Sequence, residues 1–255
     1  MLLRIPFTVL FFMLCAFSNA QNSGKIIYDE VMVFDIKVPE NLENRDEIIA
    51  KMPKDRRSKK EIIFNKDAAL YRTHETGEEE EEEFGGRRGR GWRMRMGGSS
   101  DLKTFWNREE NRLVEQRSFM GKDFLIKDEV EKQAWKITGE MSRIQGYTCM
   151  KATIEDTTGI KTAWFTPEIP VGVGPYLFGE FPGAVLKYED TGRKWSVTAT
   201  AVDLETEINT SELEEPTKGK EITRKEFRAM MKKKRKEMRE MYGKKSGGFR
   251  MEIRQ

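Results

Sequence analysis

One histidine, His74, serves the whole chain of 255 residues, and that scarcity removes most hydrolytic machinery. Zinc-binding His-Glu-x-x-His helices, histidine dyads and Ser-His-Asp triads all need imidazole beside acids and nucleophiles. His74 stands instead at the border of a glutamate run. No Gly-x-Ser-x-Gly elbow occurs. Gly172-Val173-Gly174-Pro175 lacks the third glycine and the following helix of a phosphate-cradling loop. No pair of carboxylates stands out by an apolar setting. The sequence reads as non-enzymatic, with no cofactor.

Long apolar runs are equally scarce. Residues 7–17 form the one extended run, about half of the roughly 20 residues that a bilayer-spanning helix needs. Arg4 in front of it and Ser18-Asn19-Ala20 behind it give the pattern of a signal peptide over residues 1–20. The expectation is an exported chain with no transmembrane helix, free in the periplasm or peripheral to the outer membrane. Cysteine is nearly absent too. Once the leader is removed only Cys149 remains, so no internal disulfide staples the fold and stability must come from burial. In the strand-like run 146–152 this cysteine reads as a small buried hydrophobe.

Charge is abundant and unevenly placed. Loss of Arg4 with the leader leaves 45 basic and 43 acidic residues, a balance of +2. Residues 216–255 hold 15 basic and 5 acidic residues, +10, which leaves the body at −8. Residues 75–100 join six consecutive glutamates, Glu78 to Glu83, to an arginine- and glycine-rich block. This segment has too little apolar surface to offset its ordering entropy, and disorder is expected there. The arginines around Trp92 resemble nucleic-acid-binding tracts, a partner that an exported chain does not meet; none is assigned.

The body reads as strands. Candidates are 25–37, 61–65, 69–73, 102–107, 112–119, 123–127, 134–138, 147–155, 160–166, 184–190 and 193–204. Residues 40–60, charged and with Pro53 inside, read as a solvated connection with a helical turn. Short polar links such as 107–111, 120–122, 156–159 and 190–192 favour antiparallel hairpins. In the last strand Trp195, Val197, Ala199 and Ala201 alternate with polar residues, as in a sheet curved about a core or a cavity. The fold class is mainly β: one curved antiparallel sheet, open and half-barrel-like, over residues 21–210, followed by a basic tail over 211–255. Within that tail, 225–243 has an apolar stripe at helical spacing.

Between two strands lies the densest stretch of special chemistry. Pro167, Pro170, Pro175 and Pro182 alternate with Gly172, Gly174, Gly179 and Gly183 and with large aromatics. Prolines fix φ and glycines open conformations closed to other residues, so this loop has few states to lose on folding. Trp164, Phe165, Tyr176, Phe178 and Phe181, with Glu168, Pro182 and Gly183, are the candidate ligand- or partner-binding residues. They serve either as a lid packed on the sheet or as the wall of a site for an apolar ligand or an envelope protein.

Four motifs in order, Trp135-Lys136-Ile137, Ile144-Gln145-Gly146-Tyr147-Thr148-Cys149-Met150-Lys151-Ala152, Ala163-Trp164-Phe165-Thr166-Pro167-Glu168-Ile169-Pro170 and Gly174-Pro175-Tyr176-Leu177-Phe178-Gly179-Glu180-Phe181-Pro182-Gly183-Ala184-Val185-Leu186, resemble the GLPGLI family of exported Bacteroidota proteins. The naming hexapeptide stands here as Glu180-Phe181-Pro182-Gly183-Ala184-Val185, and Glu180 replaces a glycine at what should be a tight backbone approach. The resemblance implies export and a β-rich body and brings no agreed activity.

Two further features offer chemistry outside the loop. Thioethers bind copper(I), and Met94 with Met96, and Met238 with Met241, are close pairs; metal binding or delivery through them is the alternative function. The basic helix offers peripheral contact with an anionic membrane surface through 220–245.

Overall fold

The computed structural model describes residues 22–34, 36–37, 44–50, 54–74, 102–206, 208–243 and 250–251. The expected signal peptide, the charged insertion with Met94 and Met96, and the chain end lie outside these residues.

Twelve strands form one open sheet. In chain order they are β1 (Gly24–Val33), β3 (Asp55–Phe64), β4 (Ala68–Thr73), β5 (Lys103–Asn107), β6 (Arg112–Phe119), β7 (Lys122–Glu129), β8 (Lys136–Ile144), β9 (Tyr147–Asp156), β10 (Gly159–Thr166), β11 (Ala184–Asp190), β12 (Trp195–Asp203) and β13 (Lys220–Thr223). Two short strands, β2 (Ile36–Lys37) and β14 (Arg250–Met251), pair separately. The spatial order β13-β7-β6-β5-β4-β3-β1-β12-β11-β10-β9-β8 consists of two antiparallel meanders joined where β1 lies between β3 and β12. The sheet is mixed rather than wholly antiparallel, because β13 pairs parallel to β7, with Ile222 opposite Ile126. A long connection brings the chain from β12, in the middle of the sheet, back to β7 near its edge, and such a connection, unlike a hairpin, permits parallel pairing.

Strand alternation builds three cores. On one face Ile26 and Tyr28 of β1, Ile62 and Phe64 of β3, Tyr71 of β4 and Trp106 of β5 pack with residues of β9 to β12 and with the proline-glycine loop. On the other face Ile63, Leu70, Phe105, Val114 and Leu125 are capped by Leu213 from a 3₁₀ turn, Thr210–Leu213. A third cluster joins Phe124 and Ile126 of β7 to Phe227. Phe227 belongs to helix α2 (Arg224–Gly243); α1 (Arg45–Ala50) is the helical turn expected before β3. Residues 55–60, expected in a solvated connection, are the first half of β3, and Lys60 is buried.

Candidate polar site under the proline-glycine loop

The loop between β10 and β11 is part of the core. Ile169, Val171, Val173, Leu177, Phe178 and Phe181 are all buried. Its backbone is tied down from within: Val171 N donates to the Ile169 carbonyl, Val173 N to that of Val171, and Gly179 N to that of Gly172 at 2.7 Å. From outside, the Tyr28 hydroxyl of β1 donates to the Val185 carbonyl at 2.9 Å. Phe165 stacks on Phe181 with ring centroids 4.7 Å apart, Trp135 covers Phe181 at 5.1 Å, and Phe178 lies 5.8 Å from Trp106. Gly183 is buried and Pro182 is exposed. Trp164 is half-buried beneath the Lys151 ammonium, 5.8 Å above its ring. The exposed Glu168 accepts a hydrogen bond from Thr148 N at 2.8 Å. Glu180 does not stand at the tight backbone approach, which falls at Gly183. Glu180 instead accepts hydrogen bonds from the Gln133 backbone and side-chain nitrogens.

Tyr176 departs from this pattern. Leu177 N donates to the Gly174 carbonyl at 3.1 Å, closing a β-turn with Pro175 second and Tyr176 third. Tyr176 has φ +59°, in the place that a type II turn ordinarily gives to glycine. A side chain held there costs about 1–3 kcal/mol. Tyr176 is also the one large apolar residue of the loop left exposed, at 37%, and its ring stands edge-on to Tyr71 at 4.9 Å and Trp195 at 5.3 Å.

Beside Tyr176 the loop-covered face turns polar along β1, β3 and β5. Two residues beyond Tyr28 stands Glu30; two before Ile62 stands Lys60; two before Trp106 stands Thr104. All three polar residues are buried, as is Glu115, which lies opposite Thr104 in the β5–β6 register. Several are satisfied. Ser58 Oγ donates to Glu30 at 3.0 Å, Lys60 Nζ to Thr73 Oγ1 at 3.0 Å, and Glu115 pairs with Arg117 at 2.9 Å and with Arg224 of α2 at 3.0 Å. Others are not. The Thr104 hydroxyl and Trp195 Nε1 are buried without hydrogen-bond partners, and the Tyr71 hydroxyl is buried with only the Tyr176 phenol beside it. Native interiors rarely tolerate such groups, since each costs about 1–3 kcal/mol unless something binds it.

Burial also shifts titrations here. It pushes Lys60 below its ordinary range, with Glu30 opposing and Arg56 adding to the effect. The Tyr176 phenol is pushed up, first by burial of its hydroxyl end and then by Glu30, with Arg117 opposing. Perturbed groups clustered beside such unpartnered groups make this face the candidate site. Chemically, the arrangement is an aromatic surface backed by unspent donors and acceptors. Sequence patterning singled out Tyr176 but missed Lys60, Thr104 and Tyr71, whose signal was a polar residue on the dry face of a strand.

The alternative methionine site is not assembled by the described residues. Met94 and Met96 lie outside them, and Met238 and Met241 are located on α2 without described side chains. Among the described residues, no group of three or more His, Cys, Asp or Glu side chains is arranged to hold a metal ion, and no helix is long and apolar enough to cross a membrane.

The class of protein defined by this geometry is an open, curved, mixed β-sheet closed on one face by a rigid loop. Comparison with known proteins agrees on the fold. The family model "N-glycanase peptide, N-terminal domain" matches residues 102–228. Two solved structures of PNGF-II, in C2 and P21 space groups, superpose with a TM-score of 0.52 at 19% identity over 82% of this chain. The chain spans about a third of their length, 32% and 33%. No curated protein matches.

Proposed function

We propose that this chain is a non-catalytic binding or accessory module of the cell envelope, and that its ligand is received on the loop-covered face at Tyr176. One observation carries the reading. An exposed aromatic is held at a backbone angle that disfavours it, against Tyr71 and Trp195, on a face where the buried Thr104 hydroxyl and Trp195 Nε1 lack partners. Strain of that kind persists where a position serves something other than stability. The ligand class that fits has an apolar face for Tyr176 and Trp195 and hydrogen-bonding groups for Tyr71 and Thr104. The residues beneath the loop are therefore the site, and the buried loop aromatics are its rigid frame.

Likeness to the N-terminal domain of a larger glycanase supports an accessory role, since the matching part is about a third of that protein. The pattern of residues 1–20 and the GLPGLI-like motifs support export to the periplasm. Native mass spectrometry of the protein purified from its own envelope tests the proposal. A retained small-molecule adduct that disappears in Tyr176→Gly supports it. Identical spectra for wild type and variant contradict it.

A further inference from the structure

Helix α2 is oriented by its own docking. Thr223 N donates to Glu226 Oε2 at 2.9 Å and Glu226 N donates back to Thr223 Oγ1 at 3.2 Å, a reciprocal cap that fixes the first turn. Arg224 pins that turn to Asp128 at 2.9 Å and to Glu115. Phe227, 3% exposed, lies edge-on to Phe124 at 5.5 Å and Phe119 at 6.2 Å, with Met230 and Met231 packed alongside.

The apolar stripe of the helix is thus spent on the sheet. Lys225, Arg228, Lys232 and Lys236, at helical spacing on the opposite side, are exposed, a row about 16 Å long. Among the described residues the first three carry no ion pair, and Lys236 meets Glu240 only at 3.9 Å. The row has a single interruption, the small side chain of Ala229.

We infer that this face is a peripheral docking surface for anionic lipid headgroups. Charge complementarity names a polyanion, and the composition of the face selects the lipid surface. Stable protein interfaces are anchored by aromatic or large apolar residues, and this row has none. An array of mobile ammonium and guanidinium groups suits a plane of diffusing phosphates, and the buried stripe means that the helix rests on the headgroups without inserting.

Sedimentation with vesicles of phosphatidylcholine, with and without 30 mol% phosphatidylglycerol, tests this on the full chain. Binding to the anionic vesicles alone, falling at least tenfold between low and high salt, is expected. Each neutralised cation should weaken it about fivefold. Lys225→Gln with Arg228→Gln, Lys232→Gln and Lys236→Gln, on an unchanged circular dichroism spectrum, should therefore lose more than a hundredfold. Should that variant fail to fold, Lys232→Gln alone must still show the fivefold loss. Equal binding to neutral vesicles, binding unaffected by these substitutions, or no sedimentation overturns the inference.

Discussion

Gly183 and Thr166 meet backbone to backbone: a β-carbon on Gly183 would stand 1.9 Å from the Thr166 carbonyl oxygen and 2.7 Å from its carbon. No side chain fits there, and neither atom belongs to a side chain that can swing away. The contact seats the end of the loop on the last residue of β10, where Thr166 also pairs with Ala184. Gly183→Ala should therefore cost about 3 kcal/mol or more, a fall in Tm of about 6–12 °C by thermal circular dichroism. An unchanged Tm would show that the loop does not approach so closely.

Tyr176 separates strain from contact. Tyr176→Gly removes both the ring and the penalty at φ +59°, whereas Tyr176→Ala removes the ring and keeps the penalty. The glycine variant should be the more stable of the two by about 1 kcal/mol, seen as a higher midpoint in urea. Equal midpoints would mean that the turn relaxes when the ring is gone.

Glu61, on the opposite face, is a buried carboxylate that receives Lys25 at 2.7 Å, Arg72 at 2.6 Å and His74. Burial alone would raise its pKa, but the hydrogen bonds from these three groups outweigh that and hold it below the usual carboxylate range. A depressed folded-state value contributes stability that is complete above the unfolded pKa of about 4.3. That stability is lost as pH falls through the folded value. Glu61→Gln should cost about 3 kcal/mol at neutral pH, and the gap from wild type should close as pH drops below 4 in pH-resolved denaturation. A gap independent of pH would assign the loss to packing.

Cys149 is buried, and burial, reinforced by Glu168, pushes its thiol up to about 11. Reactivity follows the thiolate. In the folded protein it should resist a disulfide reagent at pH 8 for hours and react within minutes after unfolding in guanidinium. Rapid labelling of the native form would place the thiol at the surface.

Strands with clear alternation and turn residues at both ends were legible from sequence. β6 and β11 begin and end where apolar alternation and the Asn111, Met120 and Gly192 turns place them. β8 runs on to Ile144, six residues past its apparent end at Thr138, because Gly139, Glu140, Ser142 and Arg143 carry no strand pattern. β9 holds that part in place across a register shift. β13 is four residues long and mostly polar, and only β7 makes it a strand. The candidate site was half legible. The loop and Tyr176 stand out by composition, but the polar row beneath comes from strands some 60 to 150 residues away, and only the register brings Lys60, Tyr71 and Thr104 together.

Hydrogen exchange on the protein as purified from its native host, compared with the same protein stripped of bound small molecules by unfolding and refolding, tests the proposed binding site most directly. Added protection in the purified form is expected at residues 174–178 and at 58–60, 71–73 and 103–105, with β8 and α2 unchanged. Protection confined to other elements, or none, would contradict it.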